Sequence, residues 1–156
     1  MVGDSQVSIM NLALSHIAAK PITSISDGSV EANAAVIEWG PALRECLRSH
    51  DWSFAISILP LVQNTTYSTT PFWAYVYDYP ENCMALWHVY NEGTKDTGLG
   101  EDFRVLYDSQ NPSVSSGSQV VLCNIDNAYG EFTYYVQNPI LFDSFFITAL
   151  THRLAS

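Results

Sequence analysis

Apolar residues recur at helical spacing at the start of the chain and change to strict alternation towards its middle. Val7, Met10, Leu14 and Ile17 share one stripe, with Ala13 and Ala18 beside them, and predict a helix over about 5–19. Lys20-Pro21 is expected to close it, because the residue before proline is pushed out of the α region. After a turn-rich connection from Ile22 to Gly28, Ser29 can cap a second helix over about 29–50, with Glu31 at its positive end. The stripe of that helix predicts burial of Ala32, Val36, Trp39, Leu43 and Cys46 or Leu47. Gly40-Pro41 falls inside it and predicts a kink or a short break.

From Asp51 onward the period becomes two. Trp52, Phe54, Ile56 and Ile58 fall on one strand face, and Ser53, Ala55 and Ser57 on the other. After a polar loop from Asn64 to Pro71, Phe72–Tyr79 reads as a second strand closed by the turn Pro80-Glu81-Asn82. Met84–Tyr90 reads as a third strand and Phe103–Tyr107 as a fourth. Polar, glycine-rich loops are expected over Asn91–Asp102 and Asp108–Gly117. Gln119–Ile125 and Glu131–Gln137 are predicted to form a hairpin turning near Asp126-Asn127. Asn138-Pro139 then opens a last helix over about 139–156, with Leu141, Phe142, Phe145, Phe146 and Ala149 as a broad apolar stripe. That stripe is still running at Leu154-Ala155-Ser156, without a glycine cap or a following proline, so the native chain is expected to continue. The predicted fold is α+β in a single domain over 1–156, with an N-terminal helix pair, a mainly antiparallel β region over about 52–137 and a C-terminal helix.

Charge narrows the choice of function. Six basic residues face sixteen acidic ones, for a net charge of −10, too few cations to neutralise a run of phosphates. The first residues, Met1-Val2-Gly3-Asp4-Ser5-Gln6, lack the basic and apolar parts of a signal peptide, and no window approaches the ~18 apolar residues of a membrane span. A soluble protein made in a cytoplasm is expected, and Asn64-Thr65-Thr66 then reads as a chance glycosylation match. Cys46, Cys83 and Cys123 are isolated among apolar neighbours and read as buried structural thiols.

Candidate chemistry is sparse. Four histidines, His16, His50, His88 and His152, are scattered; His50-Asp51 is the sole adjacent His–Asp pair, with Asp4 and His16 its nearest helpers and no metal-ligand spacing among them. His50 is read instead as meeting the last carbonyls of the second helix. Gly93, Gly98 and Gly100 are not spaced as a phosphate loop, and Asp78 with Glu81, or Asp96 with Glu101 and Asp102, read as solvated turn residues. No catalytic residue, cofactor or metal is therefore assigned. The aromatic row Trp73, Tyr75, Tyr77 and Tyr79, with Trp87 on the next strand, could be a stacking platform, a core face or a subunit interface, where Tyr and Trp are enriched.

Taken in order, several segments resemble one known group. Asn11-Leu12-Ala13-Leu14 leads to Asp27-Gly28-Ser29-Val30-Glu31-Ala32, then to Leu43-Arg44, Leu47-Arg48 and His50-Asp51-Trp52-Ser53-Phe54-Ala55. Later come Phe72-Trp73-Ala74-Tyr75, Tyr79-Pro80-Glu81-Asn82-Cys83-Met84, Tyr134-Tyr135-Val136, Asn138-Pro139 and Arg153-Leu154-Ala155. This order resembles the head-to-tail adaptors of tailed bacteriophages, including tail tubular protein A and the packaged-DNA stabilisation proteins. The resemblance implies a structural virion protein, not an enzyme, that forms a ring of about twelve copies. It implies the phage portal and a tail or nozzle protein as partners, passage of double-stranded DNA without specific binding, and no membrane. Its place would be the neck of the virion, after assembly in the host bacterial cytoplasm. Trp52, Phe54, Trp39, Phe142 and Phe146 are then expected as core anchors, and Trp73, Tyr75, Tyr77, Tyr79 and Arg153 as a subunit or partner interface. Other readings of the same sequence are another neck or tail ring such as a tail terminator, a carbohydrate-binding module using the aromatic strand, and a small hydrolase using His50-Asp51.

Overall fold

A computed structural model describes residues 5–68, 71–91, 100–108 and 118–156. The predicted loops over Asn91–Asp102 and Asp108–Gly117 fall mostly outside this set, as do Asp4, Gly93, Asp96 and Gly98. The fold is α+β, with helices at both ends of the sequence and two antiparallel sheets between them. Its contacts gather into two compact units: 1–55 with 135–156, and 56–134.

The first unit is helical. α1 (Gln6–His16) starts at a capping box in which Ser5 and Ser8 satisfy each other's backbone N–H groups. It ends at His16, earlier than the proline signal suggests, because Ala18 takes a left-handed conformation (φ 56°) and Ala19 N–H returns to the Leu14 carbonyl. The connection that follows is pinned by Asn11, whose side chain donates to Ile22 O at 2.9 Å and accepts from Ile22 N–H at 2.7 Å. Asp27 accepts from the N–H and hydroxyl of Ser29, and Ser29 Oγ accepts from Ala32 N–H. Those donated bonds hold the Asp27 carboxyl below its usual range. The capped helix, α2 (Val30–Ser49), runs unbroken through Pro41, contrary to the expected break. Proline removes the donor for the Ile37 carbonyl, but Ile37 is 70% exposed, so water can replace it. Met10, Leu14, Ile22 and Ala32 form a core cluster with Ala35 and a half-buried Trp39 packed on it, whereas Val36, predicted buried, is exposed.

Trp52 and Phe54 do not lie on a strand. They flank and enter a short 3-10 turn, Ser53–Ala55, which turns both rings towards the C-terminal segment. The predicted last helix is likewise divided. Asn138 caps a 3-10 turn at Pro139–Leu141, Phe142 is extended, and Asp143 caps α3 (Ser144–Ala155) by accepting from Phe146 N–H at 2.7 Å. The extended Phe142 lets its ring reach Phe146, at 4.8 Å between centroids, and Phe54, at 5.9 Å. Phe146 also meets Trp52 and Phe54 edge-on, at 5.1 and 5.0 Å, in the geometry that aromatic quadrupoles favour. Phe145, included in the predicted core stripe, is 79% exposed because it lies on the opposite side of α3.

Among the described residues, the second unit holds six strands: β1 (Ile56–Pro60), β2 (Tyr75–Asp78), β3 (Cys83–Tyr90), β4 (Phe103–Tyr107), β5 (Gln119–Cys123) and β6 (Tyr129–Tyr134). They form two antiparallel sheets ordered β1-β6-β3 and β2-β5-β4. The expected hairpin is therefore absent: β5 and β6 are the central strands of different sheets. Their link, residues 124–128, turns at Asp126-Asn127 as expected, with Asn127 at φ 53°, but it is part of the core, with Ile125 and Ala128 buried. The Tyr77 hydroxyl fixes it, donating to Ile125 O at 2.5 Å and accepting from Ala128 N–H at 3.4 Å. Bridges Val89–Glu101 and Gln63–Tyr77 join the sheets, so the strands follow one another as β1-β6-β3-β4-β5-β2 and return towards β1. Tyr77, Val89, Val121, Cys123, Ile125 and Ala128 fill the interior.

Phe146→Ala should destabilise the chain by about 3–5 kcal/mol, the usual cost of deleting a fully buried aromatic ring. Ser29→Ala should cost about 1 kcal/mol through loss of the α2 cap. Urea titration of both variants checks this ranking, and equal midpoints for Phe146→Ala and the parent would remove the ring cluster from its place in the core.

Candidate functional site

The polar chemistry of the β unit collects in three places. The first is the face of the β1-β6-β3 sheet that carries Glu131 and Thr133, where Thr133 and Tyr90 are buried. A bulge between Leu86 and His88 inserts Trp87 into β3, so that Trp87 and His88 both reach side chains on β6. Trp87 Nε1–H donates to Thr133 Oγ1 at 2.8 Å. His88 Nδ1 and the Tyr90 hydroxyl both meet Glu131 Oε2, each at 2.8 Å. One carboxylate oxygen thus holds an imidazole and a phenol on neighbouring positions of one strand. Burial, reinforced by the bond to Glu131 and its charge, pushes the Tyr90 hydroxyl up to about 12. Gly100 closes over this strand with φ +63°, and a Cβ there would come within 3.0 Å of Val89 O and 3.2 Å of His88 Cβ.

Two acidic clefts lie at the two ends of the β2-β5-β4 sheet. The end at which β2 and β4 finish has a cleft of about 430 Å³, in which Asp78, Glu81 and Asp108 are the charged residues. Asn64 shapes its wall: Oδ1 accepts from the N–H groups of Thr66 and Tyr67, while Nδ2 donates to Asp78 Oδ1 at 2.8 Å. The amide of the Asn64-Thr65-Thr66 sequence is therefore already engaged within the chain. At the other end a cleft of about 470 Å³ is charged by Glu101, Asp102 and Asp126. Among the described residues, neither cleft is lined by a cationic residue or a histidine.

The aromatic row is not the exposed surface expected of it. Tyr77 is 3% exposed, and Tyr75 and Tyr79 pack half-buried on the same interior cluster, because their face of β2 points between the sheets. Burial pushes the Tyr77 hydroxyl up. Trp73 precedes β2 and leaves that face, packing with Tyr67 and Leu106 on Val76, Val120 and Leu122. Arg153, the other expected interface residue, is engaged within the helical unit: its Nε donates to Glu45 Oε2 at 2.6 Å, which raises its pKa.

Among the expected anchors, Phe142 and Phe146 are buried and Trp39, Trp52 and Phe54 are half-buried. Trp52, not His50, meets the end of α2, donating from Nε1 to Cys46 O at 2.8 Å. His50 lies exposed, 3.5 Å from Asp51 and edge-on to the Trp52 ring. His16 stacks on His152 at 5.1 Å and is not gathered with that pair. Cys46 and Cys123 are buried, and burial raises both thiols; Cys83 is half-buried at the start of β3. No group of three or more His, Cys, Asp or Glu side chains able to hold a metal occurs among the described residues, and no helix among them is long and apolar enough to cross a membrane. The bonds made by Asn11, Glu131 and the Tyr77 hydroxyl were not foreseen from the sequence, since each acts on a partner distant in the chain or on backbone. No protein-family model matches the chain, and no curated protein matches it.

The Tyr90 shift gives a pH test. Below pH 10 the hydroxyl is protonated in both states, so its contribution is fully present. As pH rises from 10 towards about 12 the unfolded chain loses the proton and the folded chain resists, so stability falls. Tyr90→Phe should flatten this part of the alkaline decline in the urea midpoint; an unchanged slope would mean that the proton is held elsewhere.

Proposed function

We propose that this chain is a structural subunit of a head-to-tail adaptor ring in a tailed bacteriophage, seated between portal and tail. The observation that carries the reading is what the resembling segments do in the fold. Trp52 and Phe54, from one segment, close on Phe142 and Phe146, about ninety residues later, through three direct ring contacts. Asp27 and Ser29, from another, build the start of α2, and Asn11 ties α1 to the connection that precedes them. These side chains are spent on architecture, as a ring subunit requires.

Charge supports the same reading. A chain of net charge −10, with acidic clefts at both ends of one sheet, offers phosphates little to adhere to. Repeated around a ring whose acidic surfaces face the passage, this field lets DNA slide instead of bind.

Mixing the purified chain with assembled portal from its own phage and imaging by negative-stain electron microscopy tests the proposal. An added ring of density on the tail-facing end of the portal is expected. His50→Ala with Asp51→Asn should leave that ring intact, since both side chains are exposed and the last turn of α2 is bonded by the Trp52 side chain instead. Portals that remain bare at saturating protein would overturn the adaptor reading.

A further inference from the structure

The closed path of strands in the β unit has a gap beside β1. Leu61 N–H donates to the carbonyl of Ala128, the residue just before β6, so by antiparallel alternation residues 57, 59 and 61 direct their backbone groups to the β6 side. Residues 56, 58, 60, 62 and 64 direct theirs the other way. Val62 and Asn64 find β2 there, through Asp78 N–H to Val62 O and Asn64 N–H to Val76 O. Beyond Asp78 the chain stays with β5, through Tyr79 N–H to Gln119 O, and then turns at Pro80. Among the described residues no strand faces the outward backbone groups of Ile56, Ile58 and Pro60, and β1 is the edge of its sheet.

The side chains mark the same gap. Ile58 is 56% and Val62 68% exposed. Leu59 is more telling: it shares the inward face with Leu61, which packs on the interior cluster, yet it is 52% exposed. An inward-facing leucine left half in water is the sign of a missing neighbouring strand.

We infer that β1 is a self-association edge, at which a second copy of this chain adds its own β1 antiparallel across a two-fold axis. The occupant follows from charge. Copies of net charge −10 repel one another, but residues 52–77 contain no Asp, Glu, Lys, Arg or His, so this edge lies in the longest uncharged stretch of the chain. The register follows from Pro60. Pairing Ile58 with Ile58 of the second copy makes two hydrogen bonds, and Ile56 N–H of each copy donates to Pro60 O of the other. Proline supplies no N–H in return, which ends the ladder there and disfavours a slipped register. The pairing covers both copies of Leu59. A two-fold contact closes on two copies and cannot continue around a ring, so the inference is independent of the adaptor reading and describes the free protein.

Sedimentation equilibrium of the full chain tests it. A monomer–dimer equilibrium is expected, tightening as salt screens the like charges, and Ile58→Lys should weaken it by about tenfold or more while circular dichroism stays unchanged. Oxidation of Ile58→Cys should give a covalent dimer, since residue 58 faces itself across the axis at a disulfide-compatible separation. Val62→Cys and the parent, which retains Cys83, are the controls and should not cross-link. A chain that is monomeric at all concentrations and salt levels, an oligomer that survives Ile58→Lys, or equal cross-linking at 58 and 62 would each overturn the inference, and none of these results bears on portal binding.

Discussion

Four aromatic rings hold the two ends of the sequence in one helical unit. Trp52 and Phe54 come from the exit of α2, and Phe142 and Phe146 from the entry to α3; each ring lies within 6 Å of another in edge-on or tilted geometry. Contacts of this kind add roughly 0.5–1.5 kcal/mol per pair beyond the burial of the rings themselves. The constraint shapes the local backbone on both sides. Ser53–Ala55 becomes a 3-10 turn instead of strand, and Phe142 stays extended between a 3-10 turn and α3, since only those conformations bring the rings together. Trp52 also closes the end of α2 through its indole N–H, so one side chain serves both the cluster and a helix terminus.

The β unit depends on a different device. Its central strands β5 and β6 belong to separate sheets, and the link between them is part of the core, secured by the Tyr77 hydroxyl. Glycine at 130 accompanies this tight packing, since a Cβ there would come within 2.8 Å of Leu61 Cδ2. Where the strand path fails to close, beside Ile56–Pro60, apolar side chains remain in water. A proline at the end of an open edge limits promiscuous pairing while leaving a short, defined stretch able to accept a strand.

Acidic side chains concentrate where the structure has clefts, and uncharged residues where it has an open edge. The Glu131–His88–Tyr90 group fits a structural role within its sheet: a single carboxylate oxygen satisfies two donors from one strand and ties β3 to β6.

The sequence by itself determined the α+β class, the caps at Ser29 and Asn138, the turn positions at Asn82 and Asn127, and the burial of Phe142 and Phe146. All of these rest on local signals: periodicity, side chains that bond to nearby backbone, and asparagine's tolerance of positive φ. Tertiary structure alone decided which strands pair. The pattern along Gln119–Ile125 and Glu131–Gln137 predicts two strands, found at Gln119–Cys123 and Tyr129–Tyr134, but the choice between pairing with each other and pairing elsewhere depends on burial of distant partners. It decided equally that Tyr75, Tyr77 and Tyr79 face the interior and Phe145 the solvent, because a period fixes which residues share a face and only packing fixes which way that face points.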